Sequence, residues 1–294
     1  DWSSDVCSSD LISFDNFKYF QEHQTGKTKF LNIIQGINMH QKKTWYDKVK
    51  GFDFKGWAMG GCRTSYKLCA SLAILIDGKE HLKPNNEFLH VLGISKVSDF
   101  FYLEQMQKSL LEVGSKIKVT TDSSTPSRGL AFGLYYVDTN YSTDVFKTLH
   151  VPKATSSNKE FVPPACIKTI AEDQYKLSTP YACEFDKIIG PMYTYGDCIN
   201  GVNDSTMFMT LHNFFFFLET KKIISQYVYG HDYLLEQFAS SDTYKVTRIL
   251  DEIVKSDDPI KVVMKHESFL TSLDKAPATL ATDSSLSEFF DLSK

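Results

Sequence analysis

Arginine is almost missing from this chain of 294 residues: three occur beside 29 lysines. The 32 basic residues face 36 acidic ones, a formal charge of −4, so no global positive field marks a nucleic-acid binder. Long apolar runs are missing too. The longest, in Met207–Leu218, is broken by Thr210, His212 and Asn213 and is too short to span a bilayer, which implies no membrane. The six cysteines are scattered, which excludes a disulfide framework and points to a reducing, cytoplasmic compartment. Fifteen glycines and nine prolines exclude a collagen-like repeat. What is present, 42% hydrophobic and 14% aromatic residues, is enough for one sizeable core or two small ones.

The first eleven residues differ in character. Asp1–Leu11 reads DWSSDVCSSDL, the in-frame translation of a common short-read sequencing adapter, and is excluded from fold reasoning as a scar is. From Ile12 onward 33 acids face 32 bases, a charge of −1. A reading frame that opens inside an adapter leads us to expect that part of the natural N-terminus is missing. Cys7 drops out of any site argument.

Between residues 30 and 125 one pattern repeats four times: an apolar β-type run, a polar or glycine punctuation, then a segment of helical period. The runs are Phe30–Ile34, Phe54–Met59, Phe88–Leu92 and Ile117–Thr121, ending at Gln35-Gly36, Gly60-Gly61, Gly93 and Asp122. Leu68, Leu72, Leu75 and Ile76 share one helical face, as do Leu103, Met106, Leu110 and Val113. Consecutive βα units predict an α/β fold with parallel strands and right-handed crossovers. Periodicity alone does not separate a barrel from a doubly wound sheet. Residues 137–203 show no period and read as an irregular inserted subdomain. Helices are expected over 204–274, the first capped by Asp204 or Ser205 with Met207, Leu211, Phe214, Phe215 and Leu218 on one face, followed by a loose tail over 275–294.

In parallel α/β folds, ligands meet the C-terminal ends of strands. Gln35 offers both a donor and an acceptor to a nucleobase edge. Gly60-Gly61 exposes bare backbone to which a flat ring can come close. Asp122 is a candidate nucleophile or base. Two of the three arginines, Arg63 and Arg128, follow the second and fourth strand ends, where bidentate phosphate contacts would help.

Taken in order, Ile33-Ile34-Gln35-Gly36, Gly56-Trp57-Ala58-Met59-Gly60-Gly61, Val91-Leu92-Gly93-Ile94 and Asp122-Ser-Ser-Thr-Pro-Ser-Arg128 resemble motifs of the tRNA-guanine transglycosylase family. That family's motifs run VQGG, GYAIGGL, LMGVG and DxxxPTR in its second half, and Leu211-His212-Asn213 followed by aromatics resembles its IHN helix. The resemblance covers about residues 28–228 and implies the C-terminal half of a (β/α)8 barrel, strands five to eight over 12–136. It implies exchange of guanine in DNA or tRNA for a 7-deazaguanine. Asp122 matches the nucleophile that attacks C1′, and Gln35 the base-edge glutamine. Gly61 and Cys62 match the backbone lining the base pocket, and Leu92, beside Gly93, an apolar cover over the ring. The Asp-Ser-Ser variant is most similar to phage and bacterial relatives that act on DNA.

The family's other functional aspartates lie upstream of VQGG, and nothing before Gln35 matches them, so this portion is expected to be inactive alone. The family's zinc motif, C-x-C-x-x-C with the helix histidine, is not intact. Cys166, Cys183 and Cys198 stand apart, so His212 reads as a packing residue, with a residual Cys183/Cys198/His212 zinc site left open and no cofactor assigned. Two further readings stay open: a non-catalytic nucleic-acid-binding partner subunit of the same fold, forming a homo- or heterodimer, and an unrelated barrel binding a phosphorylated metabolite. Unpaired strand edges at both ends of the sheet predict self-association.

Overall fold

The computed structural model describes residues 8–131, 134–150 and 201–275. Helix α1 (Ser8–His23) precedes a run of βα units: β1 (Asn32–Ile34), α2 (Met39–Val49), β2 (Gly56–Met59), α3 (Ser65–Asp77), β3 (Phe88–Val91), α4 (Val97–Glu112), β4 (Lys118–Thr121) and α5 (Thr125–Ala131). The four apolar runs are the four strands. They pair in parallel, in the unbroken spatial order β1-β2-β3-β4. Right-handed crossovers in unbroken order carry α2, α3 and α4 to one face of the sheet. On that face Trp57, Met59, Leu89 and Val91 are fully covered. No order reversal creates the crevice of a doubly wound sheet. The opposite face, with Ile33, Phe88, His90 and Thr120, stays partly open.

Local chemistry sets the helix starts. Asn38 accepts the Gln41 amide at 2.9 Å to cap α2, and Thr64 accepts the Lys67 amide to cap α3. Asp99 reaches back to the amides of Ser95 and Lys96 at the start of α4. In α3, Leu68 through Ile76 are all buried, because a second layer lies over it. That layer is α8 (Ser241–Lys255), against α3 and α4, and α9 (Pro259–Lys275), against α3.

Three expectations change here. The segment after Pro126 is not irregular throughout: β5 (Leu134–Asn140) and β6 (Val145–His150) form an antiparallel hairpin. Its Tyr, Phe and Thr pattern is β-type, but a bulge between Tyr136 and Asp138 breaks the alternation a sequence reading relies on. Residues 151–200, with Cys166, Cys183 and Cys198, lie outside the described residues. Helix α6 (Gly201–Val228) begins before Asp204 and Ser205, which sit inside it rather than capping it. Its packed face is also a different one. Leu211, Phe214 and Leu218 are exposed, whereas His212, Asn213, Phe216, Phe217 and Thr220 are buried. Asn213 explains the choice: its amide donates to the carbonyls of Pro126 and Leu134 and its oxygen accepts the Tyr136 amide. A buried asparagine with three backbone partners fixes the helix rotation, and apolar periodicity cannot report it. Helix α7 (Asp232–Phe238) then leads to α8.

Both sheet edges are stoppered by side chains. The Trp45 indole donates to the outward carbonyl of Ile33 at 2.6 Å. On β4, Gln107 imitates a neighbouring strand, donating to the Ile117 carbonyl at 3.1 Å and accepting the Val119 amide at 2.8 Å. The edges are therefore less open than strand order alone suggests. Gln107→Leu should cost about 1–2 kcal/mol for two lost hydrogen bonds. It should also shift the protein toward self-association in sedimentation runs, because the β4 edge becomes free to pair.

At the opposite end of the strands the carboxylate of Glu80, 2% exposed, accepts from Tyr46 Oη at 2.7 Å, Trp57 Nε1 at 3.0 Å and Asn86 Nδ2 at 2.9 Å. Lys83 supplies the countercharge at 2.7 Å. Burial and this carboxylate hold the Tyr46 phenol far above its usual range. Glu80→Leu strands three buried donors, and urea titration should show a loss of about 2–4 kcal/mol.

Candidate functional site

Strand register brings the sequence-predicted residues into line. Ile34, Met59, Val91 and Thr121 form one aligned row across the sheet. The ladder continues past it, with the Gly60 amide donating to the Ile34 carbonyl and the Leu92 amide to the Met59 carbonyl. The next row is therefore Gln35, Gly60, Leu92 and Asp122. Side chains alternate along a strand, so this row faces the same way as Ile33, Ala58, His90 and Thr120, away from the helices. Gln35, Gly60, Leu92 and Asp122 thus follow the four strand ends directly, and the His90–Asp122 contact puts Asp122 on the open face.

Glycine conformation shapes these strand ends. Gly61 and Gly93 turn the chain with φ of 66° and 67°, the left-handed region, and neither would meet an obstacle if given a Cβ. Gly36, at φ 134°, lets the first turn of α2 close in, since a Cβ there would lie 2.8 Å from the Lys42 amide.

Asp122 is the most exposed member. Its Oδ1 accepts the Gly93 amide at 3.0 Å and lies 3.5 Å from His90 Nε2. Its Oδ2 takes no hydrogen bond from the described residues. His90 is in turn held by Thr120, whose Oγ1 lies 2.9 Å from Nδ1. The sequence reading missed His90, which there is only the polar member of an alternating strand. Its signal is positional: it lies two residues before Leu92, so it shares the face of that row.

Cys62 and Arg63 turn elsewhere. The Cys62 side chain is buried toward α3, donating to the Gly60 carbonyl at 3.6 Å with Ser71 Oγ at 3.5 Å. Burial pushes its thiol upward, so it stays protonated at neutral pH. Beneath it the fully buried Lys42 donates to Ser71 Oγ at 2.8 Å, and burial pulls the Lys42 ammonium down. This polar cluster supports the Gly60-Gly61 turn from the helix side. Arg63 lines a different cleft, with Lys96, Asp99 and Asp144. Arg128 is exposed on α5, six residues beyond Asp122. Arg248 is paired with Asp232 at 3.0 Å, whereas Arg63 and Arg128 have no carboxylate partner among the described residues.

His212 packs against the β5–β6 hairpin. Its Nε2 is 2.7 Å from the Tyr136 carbonyl, an acceptor only, so Nε2 carries the proton. Burial lowers its pKa to about 4. That nitrogen is unavailable to a metal, which does not fit the helix histidine as an Nε2 ligand, and no step through zinc is derived. Among the described residues no group of three metal-binding side chains occurs. A histidine neutral in the fold but protonated when unfolded destabilises as pH falls through its unfolded value. Stability should drop between about pH 6.5 and 4, by up to roughly 3 kcal/mol, and level off below. Comparing urea midpoints of His212→Gln and the parent at pH 7 and 4.5 isolates this contribution.

Among the described residues no helix is long and apolar enough to cross a membrane. No protein-family model and no curated protein matches this chain.

Proposed function

We propose that this chain carries the nucleophile-bearing half of a nucleobase-exchanging transglycosylase, which replaces guanine in DNA or tRNA by a 7-deazaguanine. The observation that supports it is that the last paired row, Ile34, Met59, Val91 and Thr121, is followed directly by Gln35, Gly60, Leu92 and Asp122 at the four ends of a singly wound parallel sheet. A flat base laid on that row would meet the Gln35 amide at its edge, bare backbone at Gly60-Gly61 beneath it, and Leu92 as apolar cover. Asp122 would then stand at the sugar.

In this reading the free Asp122 Oδ2 forms a bond to C1′ while the C1′–N bond breaks, its electron pair leaving with guanine, which takes up a proton. The incoming base attacks C1′ and sheds a proton, and the pair of the C1′–O bond returns to the carboxylate. Protons balance over the two steps, as in a retaining double displacement. None of the four residues of the row is assigned the proton transfer between the bases. Arg128 follows the fourth strand end, where backbone phosphates of a bound strand would run, whereas Arg63 lines another cleft.

The reading also gives the open face a purpose. Parallel sheets are normally covered on both faces, and further strands that displaced Trp45 and Gln107 from the β1 and β4 edges would close this one into a barrel. An apolar cavity of about 580 Å³ beside β4, lined by Val119, Thr121, Phe214, Leu218 and Tyr229, would receive the packing of such an added unit. The test is incorporation of labelled guanine into a DNA hairpin and into tRNA by the full-length gene product. Exchange into either supports the proposal, and the preferred acceptor names the substrate. No exchange with either acceptor contradicts it.

A further inference from the structure

We infer that His90 is the positioning residue of Asp122: it locks Oδ1 so that only Oδ2 is presented to the sugar, and it stabilises the carboxylate when it leaves. This rests on the reading of Asp122 as a nucleophile. Three observations carry it. The Thr120 hydroxyl, 2.9 Å from Nδ1, fixes the ring. With the Thr120 hydroxyl taken as the donor to Nδ1, the ring proton is on Nε2, and Nε2 faces Asp122 Oδ1 at 3.5 Å. The Gly93 amide donates to the same oxygen at 3.0 Å, so Oδ1 faces one hydrogen-bond donor and the edge of the His90 ring. Oδ2 keeps none from the described residues. A nucleophile oriented by one imidazole, itself oriented by a third group, is the arrangement of activated nucleophiles in general.

The chemistry follows from which oxygen is held. Once Oδ2 bonds to C1′, Oδ1 becomes the carbonyl oxygen of a glycosyl ester. When the C1′–Oδ2 bond breaks, its electron pair spreads back over both oxygens, and the Gly93 amide on Oδ1 together with the His90 N–H closing on it stabilises that developing charge. The His90 proton stays on Nε2 throughout, so no proton is added to the balance. The effect therefore falls mainly on breakdown of the ester, that is, on kcat rather than on binding.

Two conservative variants separate positioning from packing. Glutamine places an amide N–H near the position of Nε2 and can still reach Asp122. Asparagine keeps a polar group near Nδ1 for Thr120 but falls short of the carboxylate. In guanine exchange by the full-length protein, His90→Gln should stay within about threefold of the parent, whereas His90→Asn should lose about ten- to hundredfold in kcat with little change in KM, the scale of one preorganised donor. The covalent adduct should accumulate in His90→Asn, because it forms but breaks down slowly. Ring ¹⁵N shifts of the parent should show the Nε2–H tautomer. Rescue by Asn and not by Gln, equal rates in all three proteins, or an Nδ1–H tautomer would each overturn the inference. An unsubstituted protein that exchanges guanine without any Asp122-dependent adduct would instead overturn the reading of the nucleophile, and this inference with it.

Discussion

Asp122→Asn should lower guanine exchange by at least about 10³-fold, because it removes the atom that, in the proposed reaction, bonds to C1′. The loss should lie in kcat. Asparagine retains the shape and still accepts the Gly93 amide, whose 3.0 Å bond uses one oxygen only. Oligonucleotide affinity, measured by fluorescence anisotropy, should thus stay within a few fold of the parent. Removing one charge from the rim also relieves repulsion of the phosphate backbone, so any shift in affinity should be toward tighter binding. A residual rate close to the parent's would mean that another group attacks the sugar.

The largest expected structural effect comes from Gly56→Ala. Gly56 opens β2 with φ 137°, a region L side chains rarely adopt. A Cβ there would stand 2.0 Å from the Phe88 carbonyl oxygen, and that atom is backbone in the adjoining strand. No rotamer change relieves such a contact; β2 and β3 would have to part. Backbone strain plus lost ladder bonds should exceed about 4 kcal/mol, beyond the range of ordinary point substitutions. Circular dichroism should show a molten or unfolded protein, whereas a cooperative transition near the parent's midpoint would refute the close approach. Ala at Gly61, φ 66° but with open space around it, should cost only about 1–2 kcal/mol.

The sheet was legible in the sequence because its four units repeat one pattern: mostly apolar runs such as Phe54–Met59 and Phe88–Leu92, each interrupted by one polar residue and followed by a helical period. The strand ends were legible because glycine and Asp-Ser-Ser punctuate them. Register aligns Ile34, Met59, Val91 and Thr121, the residues just before Gln35, Gly60, Leu92 and Asp122. What escaped depends on tertiary partners. The rotation of α6 follows from the three backbone bonds of Asn213, not from its apolar stripe, which is why Phe214 and Leu218 face outward. Cys62 follows Gly61 immediately, yet the left-handed turn at Gly61 sends its side chain into the helix layer. Glu80 gave no periodic signal, since a carboxylate gathering Tyr46, Trp57 and Asn86 from three segments is visible only once the chain is folded. His90 was hidden by its own regularity, one polar residue in an alternating strand.

The central claim is that Asp122 bonds to the sugar, and peptide mapping tests it most directly. The full-length protein would be incubated with a guanine-containing hairpin, quenched in acid and digested with protease and nuclease. The account predicts a nucleotide-mass increment confined to the peptide that holds Asp122, with fragmentation placing it on that side chain and its absence in Asp122→Asn. An increment on any other carboxylate, or guanine exchange with no increment at all, would contradict it.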